Sequence, residues 1–222
     1  MLKGDWLIWQ LADSAFPSGG FAHSGGLEAA WRHGYANSVD SLADFIRNSL
    51  MQVGQTQVPF VNAAHGQTDR FVALDHLCEV CTRNHVTRRA SVAQGRALLN
   101  SSDAAFNVPQ TDAWRLSVVR GQAHGHLPVV FGVVTAALGI DHDHSVRLYL
   151  FLTLRTLISS SVRLGIVGPQ QAQAVQVRLS SDAEQIAQQC RDLVPQEMAI
   201  WAPLIDLFQA TQDRLYTRLF QS

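Results

Sequence analysis

The sequence predicts an all-α protein: a single globular multi-helix domain spanning residues 1–222, with about eight to ten helices around a buried central apolar helix. Three observations predict it. Apolar residues recur at spacings of three and four over long segments. Sustained apolar–polar alternation, the mark of a half-buried strand, is missing. One stretch, Leu127 to Leu138, is apolar almost all round and belongs inside. Composition agrees, since 47% apolar and 16% charged residues can build a sizeable core and argue against disorder.

The elements follow in order. Between Ser38 and Val53, the residues Val39, Leu42, Phe45, Ile46, Leu50 and Val53 make one helical stripe, and Ser41 followed by Asp44 reads as a capping box. Asn84 to Leu99 is a second helix, rich in Arg and Ala. Leu127 to Leu138 is the buried one, followed by Ser145 to Leu164, Gln170 to Leu193 and Pro203 to Leu219, the last with Pro in its first turn. Pro17-Ser18-Gly19-Gly20 is a turn signal ahead of these helices. The polar run Asn100 to Asp112 predicts a surface loop over residues 100–113. Gly139–His144 and Gly165–Pro169 predict short connections.

Charge and motif content exclude several functions. A formal net charge of −1 gives no basic face for nucleic acid or for an anionic membrane. The start Met1-Leu2-Lys3-Gly4-Asp5 is not a secretory leader. Val146 to Ile166 is interrupted by Arg147, Arg155 and Arg163, so it is a core helix rather than the roughly 20-residue apolar run that spans a bilayer. Three Cys without a leader predict reduced thiols and a cytoplasmic location. No G-x-x-x-x-G-K-[ST] loop, G-x-S-x-G elbow or dinucleotide fingerprint is present, so nothing assembles a catalytic site and the chain reads as a non-enzyme.

Metal chemistry is weighed on three clusters. Cys78 and Cys81 share a helical face, but no second Cys pair completes a zinc site, so they read as ordinary helix residues. His124/His126 and His142/His144 lie at predicted turns. Imidazole suits nickel, yet each pair supplies only two ligands, so they are weak metal candidates, read first as shaping the start of the helix that follows. No tightly bound cofactor is expected.

The most specific text is Leu7 to Ala30, which contains Asp13-Ser14-Ala15-Phe16-Pro17-Ser18-Gly19-Gly20 and Phe21-Ala22-His23-Ser24-Gly25-Gly26-Leu27-Glu28. It resembles the opening of the UreF family of urease accessory proteins. Four later stretches resemble that family in the same order: Arg88 to Leu99, Gly125 to Val134, Ser161 to Gln173, and the tail Arg214 to Ser222. Physically, Pro17, Gly19 and Gly20 stop one helix, Gly25 and Gly26 allow close packing, and Ser24 and Glu28 lie one helical turn apart.

The resemblance implies a homodimeric, all-helical scaffold that joins the accessory protein UreD (also called UreH) to the GTPase UreG. It implies that this assembly regulates GTP-dependent nickel insertion into the urease apoprotein, with nickel passing through the complex. It also implies that the 214–222 tail is ordered by UreD/UreH through Arg214, Tyr216, Arg218 and Phe220. Glu28 is assigned to recruitment of UreG. The alternative is a direct nickel metallochaperone using His124/His126 or His142/His144.

Overall fold

The computed structural model describes residues 4–222, so Met1–Lys3, read above for a leader, lie outside the described residues. Twelve α-helices make up the described chain: α1 (Gly4–Ala12), α2 (Leu27–Arg32), α3 (Val39–Thr56), α4 (Val58–Gly66), α5 (Phe71–Cys81), α6 (His85–Phe106), α7 (Pro109–Val119), α8 (Leu127–Ala137), α9 (His142–Arg163), α10 (Pro169–Arg178), α11 (Ser180–Cys190) and α12 (Pro203–Thr211). No strand occurs among the described residues, so the all-α expectation holds.

Helix ends follow local chemistry. Ser38 is the N-cap of α3: its Oγ accepts from Ser41 N at 3.2 Å, and Ser41 Oγ accepts from Ser38 N at 3.0 Å. The expected Ser41–Asp44 box is therefore displaced by one turn, and Asp44 instead pairs with Arg47 at 2.7 Å. Asn84 caps α6 by accepting from Val86 N and Thr87 N. Pro opens α7, α8, α10 and α12, where its missing N–H costs no helical bond.

Three boundaries differ from the sequence expectation. The 100–113 surface loop is mostly helix: α6 runs on to Phe106, only Asn107 and Val108 intervene, and α7 starts at Pro109. Tertiary contacts outweigh the turn-prone composition here. Ser102 is fully buried, Asp103 accepts from Thr111 Oγ1 at 2.7 Å, and Phe106 stacks on Phe16 at 5.9 Å. Asn107, at φ 49°, ends the helix in the left-handed region. The single helix expected over Gln170–Leu193 is two, α10 and α11, broken at the fully buried Leu179. The helix expected over Pro203–Leu219 stops at Thr211, and after a 3₁₀ turn over Gln212–Arg214 the chain is irregular.

The central helix is α8. Every residue from Pro128 to Thr135 is buried. It packs chiefly on α4 and α6, and α5 and α9 complete the surround. Two glycines set how close the neighbours come. A Cβ at Gly132 would lie 2.6 Å from Val61 O and 2.8 Å from Ala64 Cβ; one at Gly95 on α6 would run into Gly125 O and lie 2.7 Å from Leu127 N. On the other flank Phe131 meets Tyr149 of α9 edge to face at 5.0 Å, and Tyr149 Oη donates to Gln57 Oε1 at 2.6 Å. No helix among the described residues is long and apolar enough to cross a membrane.

Gly132→Ala should lower stability by about 1–3 kcal/mol, because the added methyl meets backbone that cannot yield cheaply. Urea unfolding should show this as a reduced midpoint with an unchanged slope. A midpoint equal to the parent's would remove the close approach as a constraint.

Candidate functional site

The segment from Pro17 to Glu28 is built to turn twice and then point two polar side chains inward. Gly19, Gly25 and Gly26 sit at φ 76°, 60° and 86°, a region a β-carbon disfavours. Gly26 also faces Gln209 of α12 so closely that a Cβ would lie 3.0 Å from its backbone nitrogen. The result is that α2 begins fully buried, from Leu27 to Ala30.

Against this segment lies the tail. The carboxylate of Glu28 has no solvent exposure. Its Oε1 accepts from Leu219 N at 2.7 Å; its Oε2 accepts from Phe220 N at 3.0 Å and from Gln212 Nε2 at 2.8 Å. Ser24 donates its backbone N–H and its hydroxyl to Ser222 O, at 2.5 and 3.0 Å. Gln221 N donates to Ala22 O at 2.8 Å, and His23 Nδ1 meets Ser222 Oγ at 2.5 Å. The Arg163 guanidinium lies between two rings, 4.2 Å from Phe220 and 3.6 Å from Phe21.

Side chains therefore alternate: Phe220 and Ser222 are buried, Leu219 and Gln221 exposed. Beyond them Tyr216 is fully exposed. Arg218 reaches Asp213 at 2.7 Å. Asp213 also receives Arg89, and the two guanidiniums, Arg89 first, hold its carboxyl below the usual range. Behind the tail, a cavity of about 540 Å³ opens between α6 and α9, bounded by the Pro17–Phe21 turn, His23 and Ser222.

The histidine pairs are engaged elsewhere. His126 is fully buried at the start of α8. Its Nε2 lies 2.8 Å from Glu79 Oε2; a carboxylate only accepts, so Nε2 carries the proton. Its Nδ1 then accepts from Ser91 Oγ at 3.2 Å, and that oxygen accepts from Leu127 N at 3.1 Å. The turn itself is held by Asp75, fully buried on α5, which accepts from the N–H groups of His124, Gly125 and His126 at 2.5, 3.1 and 2.7 Å. His124 faces His76 of α5, ring centres 5.5 Å apart. His142 Nε2 meets Asn62 Oδ1 at 2.9 Å, and His144 pairs with Asp141, the N-cap of α9. Among the described residues, no group of three or more His, Cys, Asp or Glu is placed to hold a metal. Cys78 is buried, which pushes its thiol far above the ordinary range.

Comparison with known proteins decides the family. A model of the UreF family matches residues 36–180. Urease accessory protein F of Oryza sativa subsp. indica is 35% identical over 223 residues, covering 97% of this chain and 84% of that protein. Urease accessory protein F of Arabidopsis thaliana is 35% identical over 225 residues, covering 98% and 92%. Urease accessory protein UreF of Trichodesmium erythraeum is 28% identical over 219 residues, covering 96% and 94%. The chain belongs to the UreF family.

In this UreF chain, Glu28, which the resemblance puts on a surface that recruits UreG, has a buried carboxylate bonded to the chain's own tail. The resemblance implies that UreD/UreH orders the 214–222 tail; within the single chain, residues 219–222 rest on α2, α9 and Ala22–Ser24. Phe220 points inward, while Arg214, Tyr216 and Arg218 stay outside. Of the turn residues Pro17, Gly19, Gly20, Ser24, Gly25 and Gly26, Ser24 bonds the tail directly, Pro17, Gly19 and Gly20 lie against α6 and α9, Gly25 lies beside Leu157 of α9, and Gly26 packs on Gln209 of α12. Sequence reasoning missed His23, Gln212, Arg163 and Asp75. Only Asp75 left a trace, as an acid within the buried stripe Phe71, Leu74 and Cys78 of α5.

Burial lowers the affinity of His126, His23 and His142 for a proton, with Arg89 adding to the effect at His23. A histidine whose folded value is depressed binds its proton more tightly when unfolded. Stability from this source is complete above the unfolded value, about 6.5, and is lost as pH falls through and below it. The thermal midpoint should therefore drop between pH 7.5 and 5.5, and His126→Gln should flatten that drop. Melting curves that coincide at the two pH values would contradict this account.

Proposed function

We propose that this UreF chain is a maturation scaffold for urease. It joins a UreD/UreH-type protein to the GTPase UreG, and so regulates GTP-dependent transfer of nickel into the urease apoprotein. The chain acts as a homodimer in the cytoplasm, holds no resident cofactor, catalyses no step itself, and nickel is cargo of the complex. The relatives at 35% identity are named urease accessory proteins, which supports the maturation role. The single observation that carries a docking role is the tail: a short segment seated by main-chain bonds, with Tyr216 and Leu219 turned to solvent at 103% and 54% exposure beside Arg218. Leu219 is held outward on a bonded backbone, so it has little entropy left to lose on docking, and Tyr216 adds an exposed ring three residues before it. The alternative of a direct nickel carrier loses support because both ring nitrogens of His126 are bonded to Glu79 and Ser91, and Nε2 of His142 to Asn62.

Two variants test the tail. Deleting Leu215 to Ser222 should leave a folded but less stable chain that no longer co-purifies with UreD/UreH. Tyr216→Ala removes an exposed ring without disturbing the core, so it should keep the parent thermal midpoint. It should weaken UreD/UreH binding about tenfold, as truncating an interface tyrosine commonly does. Undiminished co-purification of the deletion variant would sink the assignment.

A further inference from the structure

The tail is held by its backbone rather than by its exposed side chains, and this separates the residue that sets its pose from the residues that a partner meets. Glu28 accepts two consecutive tail N–H groups, one on each oxygen. Two consecutive amides can reach one carboxylate only where the backbone bends, as it does at Leu219–Phe220, so bonding both holds that bend, and the side chains on either side of it, in one pose. Phe220 and Ser222 go in, Leu219 and Gln221 go out. A slip of one residue would bury Leu219 and expose Phe220. The rest of the seat agrees with this register: Ser24 and Ala22 bind the backbone of Ser222 and Gln221, and Arg163 faces Phe220. Glu28 forms no ion pair with any described residue within 4.0 Å, so the donors to its carboxylate are the two tail amides and Gln212 Nε2.

We propose that Glu28 is a positioning residue, a buried clasp that locks the 219–222 segment in one register and thereby sets which tail side chains face a partner. It touches no partner. An effect of Glu28 on complex assembly passes through the tail. The inference rests on the reading of the tail as a docking element, but the clasp itself can be measured without any partner.

The experiment uses the full chain. A glutamine at position 28 offers one acceptor oxygen and one NH₂, so one tail N–H must face a donor. In Glu28→Gln, hydrogen exchange at the Leu219 and Phe220 amides should speed up at least tenfold, while the amides of α4 and α8 keep their parent rates. The double variant Glu28→Gln/Gln212→Glu puts the carboxylate back on the opposite side of the same contact and should recover part of the protection. If Glu28→Gln proves poorly folded, Phe220→Ala tests the seat from the tail side: with Glu28 intact, the Leu219 amide should stay slower than in a peptide of the tail sequence. Leu219 and Phe220 amides that exchange at parent rates in folded Glu28→Gln would overturn the clasp. Capture of UreD/UreH by the same variants reports separately on the docking reading. Faster tail exchange with undiminished capture defeats that reading and leaves the clasp standing; reduced capture with unchanged tail exchange defeats the clasp.

Discussion

The structure depends on burying α8 on all sides. A helix whose eight residues from Pro128 to Thr135 are all buried has no solvent face, so other helices must close around it. Two of them, α4 and α6, have to come within backbone contact at Gly132 and Gly95. That closeness is possible only where a side chain is missing, and it fixes the relative heights of the three helices to within an ångström or so. The start of α8 brings unsatisfied N–H groups into the interior. Asp75 meets that need with one carboxylate accepting from three consecutive residues. His126 and Glu79 complete the polar lining of the same end.

The functional face grows from the other side of this arrangement. Helix α9 packs against α8 through Tyr149 and carries Arg163 at its far end, where the guanidinium lies between Phe21 and Phe220. The glycine turns at 19, 25 and 26 bring α2 under the tail and leave Glu28 facing it. One end of the fold is thus tied at four points along the chain: the Phe21–Glu28 strap, the end of α9, Gln212 and the tail. The proposed scaffold role calls for a surface whose shape is set in advance, and these ties fix the backbone at that end of the chain. The thirteen-residue polar run that reads as a loop contributes differently, as a helix corner stacked through Phe106 on Phe16 beneath the same turn.

Both carboxylates that matter here illustrate one rule. Asp75 and Glu28 are fully buried, neither forms an ion pair with a described arginine or lysine, and each is satisfied by main-chain N–H groups. A buried acid placed this way is specific for a backbone shape rather than for a side chain, because several N–H groups must converge at once. Glu28 is thereby tied to a segment nearly two hundred residues away in sequence. That tie keeps the end of the tail out of any helix: Leu219 and Phe220 give their N–H groups to Glu28 rather than to carbonyls one turn back.

The sequence by itself determined the helical class, the burial of Leu127–Leu138, the turn at Pro17–Gly20 and the family resemblance, because each depends on periodicity or on residue types close together along the chain. Only the tertiary structure decided that Ser102 belongs inside, that Leu179 breaks a helix, that His124 lies beside His76 of α5 as well as His126, and that Glu28 is buried against the tail. Those outcomes turn on which groups lie opposite one another after folding. Local propensity is worth a fraction of a kcal/mol per residue, about 0–0.7 for ordinary residues, whereas leaving a buried N–H or carboxylate unmatched costs about 1–3 kcal/mol. Where the two conflict, as at 100–113 and in the tail, the long-range partner prevails, and a single sequence does not name that partner.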